Sequence, residues 1–353
     1  MEIARSMLEV QVPAAQEKRI MLRNKAKSIL IHTELEELFK ERREKGDDFA
    51  AQRWVWEKFY AKHFGSFEDT TVVPPMCYAF GPIPLHAVPE QTLQIFSVKV
   101  AELKEGNDLQ WPLQVYGFIA IRDSIDPRRN LLFQRDRSDC QTITEKEPFL
   151  LLTGPSRAVV LIDPISFEVQ LKAKGKTASE DKVLAVDVLT SQHAVAYLSY
   201  PPRTFTINLH GIRSKLELTQ ALLANSVEAT IMVEIHDGSW PASVPGRVTA
   251  CTGSMQHQDI VLLDSGHGAL CFSDSGMLKL PRCVVSVELD GELKVNVEAI
   301  RGLKGYTTFK PKRSTISYQT CYLGHQKNNH VRGGFSCTLG ITVAWSLFRP
   351  LVP

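Results

Sequence analysis

The segment Cys283-Val284-Val285-Ser286-Val287-Glu288-Leu289-Asp290-Gly291-Glu292-Leu293-Lys294-Val295-Asn296-Val297-Glu298-Ala299-Ile300 alternates apolar and polar residues on either side of an Asp-Gly pair. Alternation with period two marks a half-buried strand, whereas a helix repeats its apolar positions every three or four residues. Asp-Gly between two such runs predicts a two-residue hairpin, because Gly readily takes the positive φ that a primed turn requires. The segment therefore reads as two antiparallel strands, 283–289 and 293–300.

The same grammar extends outward in both directions. Towards the N-terminus it gives strands at 93–100, 115–122, 149–152, 159–171, 194–200, 216–218, 226–236 and 269–273, and towards the C-terminus at 315–323 and 334–347. Turn signals such as Thr153-Gly154-Pro155 and Asp237-Gly238 separate them. Many short strands with no long helices between them predict a mainly β chain, an antiparallel β-sandwich of one or two lobes. Ser199-Tyr200-Pro201-Pro202 offers an internal seam near 200.

Upstream of 91 the pattern changes. Residues 14–45 are rich in Ala, Glu, Lys, Arg and Leu with no Gly, and Ile20, Met21, Ile29, Leu30, Leu35, Leu38 and Phe39 recur at helical spacing. Asp47 or Asp48 offers a cap for a further helix over 49–64 that carries Trp54, Phe59 and Tyr60 and is stopped by Gly65. Between 66 and 90 lie Pro74, Pro75, Pro82, Pro84 and Pro89, which suit a linker. The expected organisation is a helical N-terminal arm (1–65), a Pro-rich linker (66–90) and an antiparallel β domain (91–350).

Composition bounds the function. At 44% hydrophobic and 23% charged residues the chain is long and apolar enough for a real core. No apolar run approaches the roughly 18 residues of a membrane span, so no membrane association is expected. The first residues, Met1-Glu2-Ile3-Ala4-Arg5, lack a secretory pattern, and seven dispersed cysteines with no Asn-x-Ser/Thr acceptor fit a reducing compartment, cytoplasm or nucleus. Net charge is only +2, yet residues 301–353 hold eight basic side chains and no acidic one. Within that stretch Lys304, Lys310, Lys312, Arg313, Lys327 and Arg332 are candidate phosphate or RNA contacts.

No motif specifies a reaction. Gly175-Lys176-Thr177 resembles the end of a phosphate loop, but position 170 is Gln where that motif needs Gly. Asp264-Ser265-Gly266-His267 places triad residue types on one loop rather than converging from a scaffold. His257, His267, His325 and His330 have no metal-ligand spacing, and no metal or other cofactor is expected. Asp123, Asp126, Arg128 and Arg129, with Asp136, Arg137 and Asp139 close by, read first as a capped, salt-bridged loop and second as a cation or phosphate site.

Five runs carry a family resemblance: Leu93-Gln94-Ile95-Phe96-Ser97, Val115-Tyr116-Gly117-Phe118-Ile119-Ala120-Ile121-Arg122-Asp123, Leu152-Thr153-Gly154-Pro155-Ser156-Arg157, Val227-Glu228-Ala229-Thr230-Ile231 and Val343-Ala344-Trp345-Ser346. Over about 91–348 the chain resembles a plant domain family of unknown function that is greatly expanded in grasses. The resemblance implies an all-β domain without assigned activity, in a family some of whose members are associated with ribosome-inactivating rRNA N-glycosidase domains. Those enzymes need a helical Glu-Ala-x-Arg. Here Ile231 replaces the Arg and the surroundings are strand, so no catalytic residue carries over and an enzyme is not the first expectation.

The expected function is a non-catalytic binding or interaction module of unknown ligand, meeting a protein partner through the N-terminal helices at Trp54, Phe59 and Tyr60. The alternative is a ribosome- or RNA-directed factor using the basic C-terminal segment.

Overall fold

A computed structural model describes residues 33–349 apart from positions 39, 43, 46, 48, 107, 162–164, 192–200, 267, 300–302 and 324–335. The chain forms two compact units, 1–59 and 60–353. In the first, helix α1 (Ala50–Phe59) starts at Asp47, whose carboxylate accepts the Phe49 N–H at 3.2 Å and pairs with Arg53 at 3.1 Å. This is the cap expected there. Trp56 is buried, while Val55 and Phe59, one turn apart, are exposed. The second unit opens with the short helix α2 (Ala61–Phe64), closed by Gly65 at φ 80, so the helix expected over 49–64 is in two pieces.

The rest of the second unit is antiparallel β. In chain order the strands are β1 (Glu90–Leu103), β2 (Leu113–Arg122), β3 (Asn130–Arg135), β4 (Gln141–Ile143), β5 (Val159–Val160), β6 (Ile165–Ala173), β7 (Lys182–Ser191) and β8 (Thr204–His210). They continue with β9 (Ser214–Gly238), β10 (Gly246–Thr252), β11 (Ile260–Asp264), β12 (Val284–Glu288), β13 (Leu293–Ala299), β14 (Leu303–Phe309), β15 (Thr315–Leu323) and β16 (Cys337–Ser346). They build three sheets. The largest runs β15-β16-β9-β1-β5 with β8 and β12 also on β9, the second runs β11-β10-β13-β14, and the third runs β3-β2-β6-β7 with β4 on β2.

Strand β9 organises the molecule. The sequence predicts two strands here, 216–218 and 226–236, but the backbone runs unbroken for 25 residues. Asn225 takes φ 47 in its middle, where the register with β1 shifts between Thr92 and Glu90. Asn tolerates the left-handed region better than most residues. Before Asn225 the strand pairs with β1 and β8, and after it with β12 and β16. Two cores follow. Leu216, Leu218 and Leu222 join Val115, Ile119, Phe133 and Phe167 in one. Val227, Ala229, Ile231 and Val233 join Val248, Val295, Ile341 and Trp345 in the other. The fold is therefore a two-lobed antiparallel sandwich sharing one sheet. Of the seam expected at 199–202, residues 199 and 200 lie outside the described residues, as does the strand expected at 194–200; the two cores divide within β9, since Leu209 of β8 belongs to the first of them.

Three sequence expectations are corrected. Asp290-Gly291 does not join a hairpin: β12 pairs with β9, whereas β13 pairs with β10 and β14. Gly291 has no positive φ; its N–H donates to Glu288 O at 2.9 Å, and the Leu289 N–H donates to Asn225 O at 2.9 Å. Period-two alternation marks a strand but neither its neighbour nor the burial of its polar face, since β12 is buried on both faces with Ser286 at 2% exposure, and the turn passes the chain from one sheet to another. Residues 149–152 and 269–273 carry only the isolated bridges Phe149–Lys99 and Phe272–Leu278. Strand β14 is hidden in the sequence by Gly305, which is required there because a Cβ would lie 2.5 Å from Cys321 Sγ.

Residues 66–90 are tied along the β structure. The Thr71 N–H donates to Arg129 O at 2.9 Å, the Tyr78 N–H to Ser346 Oγ at 3.0 Å, and Val88 exchanges 3.1 Å backbone bonds with Phe348. Within Tyr116-Gly117-Phe118 the glycine has φ 120 and lies so close to β6 that a Cβ would sit 2.1 Å from Gln170 O. Gly117→Ala is expected to destabilise the protein by about 3 kcal/mol or more in urea unfolding, because both backbone conformation and packing forbid the side chain. Gly106→Ala, at φ 74 with open space around it, is the control and should cost about 1 kcal/mol.

Candidate functional site

Where the two cores meet, a third small apolar cluster of Ile125, Ala158, Val160, Val284 and Phe348 adjoins a dense set of buried charges. Its centre is Arg157, whose five N–H groups are all bonded. Nη1 and Nη2 donate to the two Asp123 oxygens at 2.7 Å each, Nη1 also to Ala158 O at 3.1 Å, Nη2 to Asp126 O at 3.2 Å, and Nε to Thr71 Oγ1 at 3.2 Å. Asp123 in turn accepts the Ile125 N–H at 3.1 Å and the Val160 N–H at 2.9 Å. A bidentate guanidinium–carboxylate pair satisfied on every side is the geometry in which two buried charges are tolerated.

Around this pair the other loop residues are also committed. Asp126 accepts from Thr71 Oγ1 at 2.9 Å, the Val72 N–H at 3.0 Å and the Arg128 N–H at 3.1 Å. Burial alone would raise this carboxyl; the hydrogen bonds and the Arg128 charge outweigh it and hold it below the ordinary aspartate value. Glu168 binds Arg122 Nε at 2.5 Å and Arg129 Nε at 2.6 Å. Both guanidinium groups stand over the Phe67 ring, 4.4 and 4.8 Å from its centroid. Asp123, Asp126, Arg128 and Arg129 thus form the salt-bridged loop that the first reading expects, and they have no coordination shell open to a cation or phosphate. Asp136, Arg137 and Asp139 do not join them; they lie beyond the other end of β2, where Arg137 pairs with Asp181 at 2.7 Å and Asp139 with Arg135 at 2.8 Å.

Beside Arg157 opens a cavity of about 200 Å³. Its walls are Val73, Pro74, Ile125, Leu347 and Phe348. Buried Glu228 faces it from β9, with Oε1 accepting the Met76 N–H at 2.8 Å and Oε2 the Ala158 N–H at 2.7 Å. Burial raises the Glu228 carboxyl above its ordinary value, opposed by these two N–H groups and by Arg157. Cys77, Tyr78 and Arg349 stand at the rim, and burial likewise raises the Tyr78 phenol, keeping it neutral. The sequence reading identifies Glu228 only as a failed glycosidase match; its burial comes from lying on β9 at the lobe junction, opposite Ser346 of β16.

The other candidate residues are dispersed. In the first unit Trp54 is half-buried and Phe59 is 61% exposed; in the second, Tyr60 is 39% exposed with its ring 6.2 Å from Phe64. Lys304 pairs with Glu298 at 2.8 Å and Lys310 with Glu292 at 3.1 Å, Lys312 and Arg313 are exposed, and Lys327 and Arg332 lie outside the described residues. In the phosphate-loop lookalike, the Gly175 N–H donates to Asp181 Oδ1 at 2.8 Å, so a carboxylate of this chain already holds the bond that a phosphate would take. Asp264 accepts the Gly266 N–H within its own turn and Ser265 Oγ accepts the N–H of Gly246 at the start of β10, at 2.9 Å each, and His267 lies outside the described residues. Among the candidate histidines only His257 is described, and among the described residues no group of three metal-ligating side chains converges.

A family model described as a domain of unknown function, DUF6598, matches residues 92–343. No curated protein matches the chain. Among solved structures, the paired C2 domains of extended-synaptotagmin 2 are similar at 11% identity and a TM-score of 0.25, over 76% of this chain and 98% of that one. Human GIVD cytosolic phospholipase A2 is similar at 9% identity and a TM-score of 0.21, over 76% of this chain and 31% of that one.

Replacing Arg157 by Ala strands the Asp123 carboxylate in the interior and is expected to cost about 3–5 kcal/mol in urea unfolding. Glu228 predicts a pH dependence. Its raised pKa means that the folded chain holds a proton the unfolded chain has lost, so its contribution is fully present below 4.5, the ordinary value, and declines as pH rises through the folded value. The stability difference between the natural protein and Glu228→Gln should therefore shrink on raising pH above about 4.5, followed by chemical unfolding across a pH series.

Proposed function

The chain belongs to the DUF6598 family, and we propose that this member is a non-catalytic binding module that takes a small, mainly apolar ligand into the cavity at the lobe junction. One observation carries the reading: the walls of this cavity, Val73, Pro74, Ile125, Leu347 and Phe348, are apolar, and Glu228, the carboxyl that faces it, is fixed to this chain by the backbone N–H groups of Met76 and Ala158. A pocket lined in this way takes its ligand by apolar contact, with a few polar groups fixing orientation. The apolar walls are free to contact a ligand, and Arg349 at the rim favours one with an anionic end. A cavity near 150 Å³ is enough for a benzene-sized molecule, so about 200 Å³ suits a small aromatic acid or a short acyl chain.

A protein contact through the N-terminal helices belongs to the same reading. It is supported by Val55 and Phe59 on one exposed face of α1, and Trp54 and Tyr60 are assigned to the same contact. The alternative, a ribosome- or RNA-directed factor of the kind the plant-family resemblance implies, calls for an exposed basic face. Lys304 and Lys310 are paired with acidic neighbours, which leaves Lys312 and Arg313 as the exposed cations such a contact would use.

Titration with benzoate, a small aromatic acid of suitable size, tests the cavity. One benzoate should bind per chain, Cys77→Trp at the rim should weaken binding about tenfold, and bound benzoate should slow alkylation of Cys77 but not of Cys271, the other exposed thiol. Equal benzoate binding by the Trp variant, or equal alkylation rates, would sink the proposal.

A further inference from the structure

We propose that the loop 79–87, together with Lys312, Arg313 and Arg349, is a docking surface for an anionic phospholipid membrane. The loop is short and held at both feet. Ala79 and Ala87 are buried, the Ala87 N–H donates to Pro84 O at 3.0 Å, and the Ala79 N–H donates to Met76 O at 3.0 Å. Between the feet its side chains face solvent: Phe80 is 65% exposed, Ile83 45% and Leu85 92%. Three large apolar residues on one projecting loop are a patch that demands a partner, unlike single exposed residues scattered over a surface. Pro82 and Pro84 restrict the backbone, so little conformational freedom is lost when the loop is engaged.

Charge selects the partner. From Thr70 to Pro89 the chain has no Asp, Glu, Lys or Arg, and residues 301–353 contain no acid at all. The loop emerges between cations. At one foot the Ser314 hydroxyl donates to Tyr78 O, which sets Arg313 and Lys312 beside it. At the other, Val88 pairs with Phe348, which sets Arg349 beside it. All three cations are exposed, and among the described residues none has an ion-pair partner. An apolar projection flanked by cations and free of acidic side chains matches the two forces at a bilayer surface, burial of apolar side chains at the acyl boundary and attraction to anionic headgroups. Among the described residues no helix is long and apolar enough to cross a membrane. Surface docking requires none, and the expectation of no membrane association rests only on the missing span.

The test is co-sedimentation of the full chain with vesicles of phosphatidylcholine alone or with about 30% phosphatidylserine. Binding is expected to the anionic vesicles, about tenfold weaker to the neutral ones, and lost in roughly 0.5 M salt. Phe80→Ser with Leu85→Ser, and separately Lys312→Glu with Arg313→Glu, should each reduce it about tenfold without moving the melting temperature, because these side chains are exposed. No binding to either vesicle, or equal binding by both double variants, overturns the proposal. So does a concentration-dependent dimer in the absence of lipid that the Leu85 variant abolishes, since it would assign the patch to a second copy of the chain.

Discussion

Everything near the lobe junction depends on one buried guanidinium. Arg157 has no water to solvate it, so each of its N–H groups must find an oxygen of this chain, and the five it finds come from three places in the sequence: Thr71, the 123–126 turn and Ala158. The same arrangement fixes the apolar cavity. Ala158, whose carbonyl accepts from Arg157, donates its N–H to Glu228 of β9, and Thr71 leads directly into the Val72–Tyr78 stretch that walls the pocket. Ion pairing in the interior brings little net stability by itself. It brings registration, since the 71–78 segment and the turn after β2 cannot shift without leaving a charge unpaired, nor β9 without leaving the Ala158 N–H unbonded.

Much of this was legible in the sequence, though unevenly. Alternating β-branched runs identify most strands, and Asp123, Asp126, Arg128 and Arg129 are legible as a salt-bridged loop because Asp at turn positions bonds nearby backbone; Arg137 and Asp139, close to them in sequence, make separate pairs with Asp181 and Arg135. Pairing was not legible. The two runs of β9 look like separate strands because Ala224-Asn225-Ser226 interrupts the apolar alternation, and only pairing with β1 on one side and β12 on the other carries the strand past the left-handed Asn225. The hairpin reading of Asp290-Gly291 failed for the same reason, as turn chemistry is local and sheet membership is not. Glu228 gave no signal either, because a carboxylate in a β-branched run is ordinarily a solvent-facing position and its burial is a property of the junction.

Four of the five quoted runs meet in one structural feature. Arg122 and Asp123 close the second run, Arg157 closes the third, Glu228 lies in the fourth and Ser346 ends the fifth. In space, Asp123 meets Arg157, Arg122 and Arg129 share Glu168, and Glu228 and Ser346 are register partners beside the cavity. These motif residues therefore register the elements that meet at the lobe junction, while the exposed Leu85 and Phe80 sit outside any of the five runs.

The unbroken course of β9 also bears on how such a domain could be taken apart or recombined. Each lobe owns half of one strand, and no loop separates the halves. A cut at Asn225 would leave each half paired sideways with its own neighbours, β1 and β8 on one side of the break and β12 and β16 on the other, but would remove the covalent link that holds the two ladders in line. The relative placement of the lobes therefore depends on the backbone of a single residue pair as much as on side-chain packing.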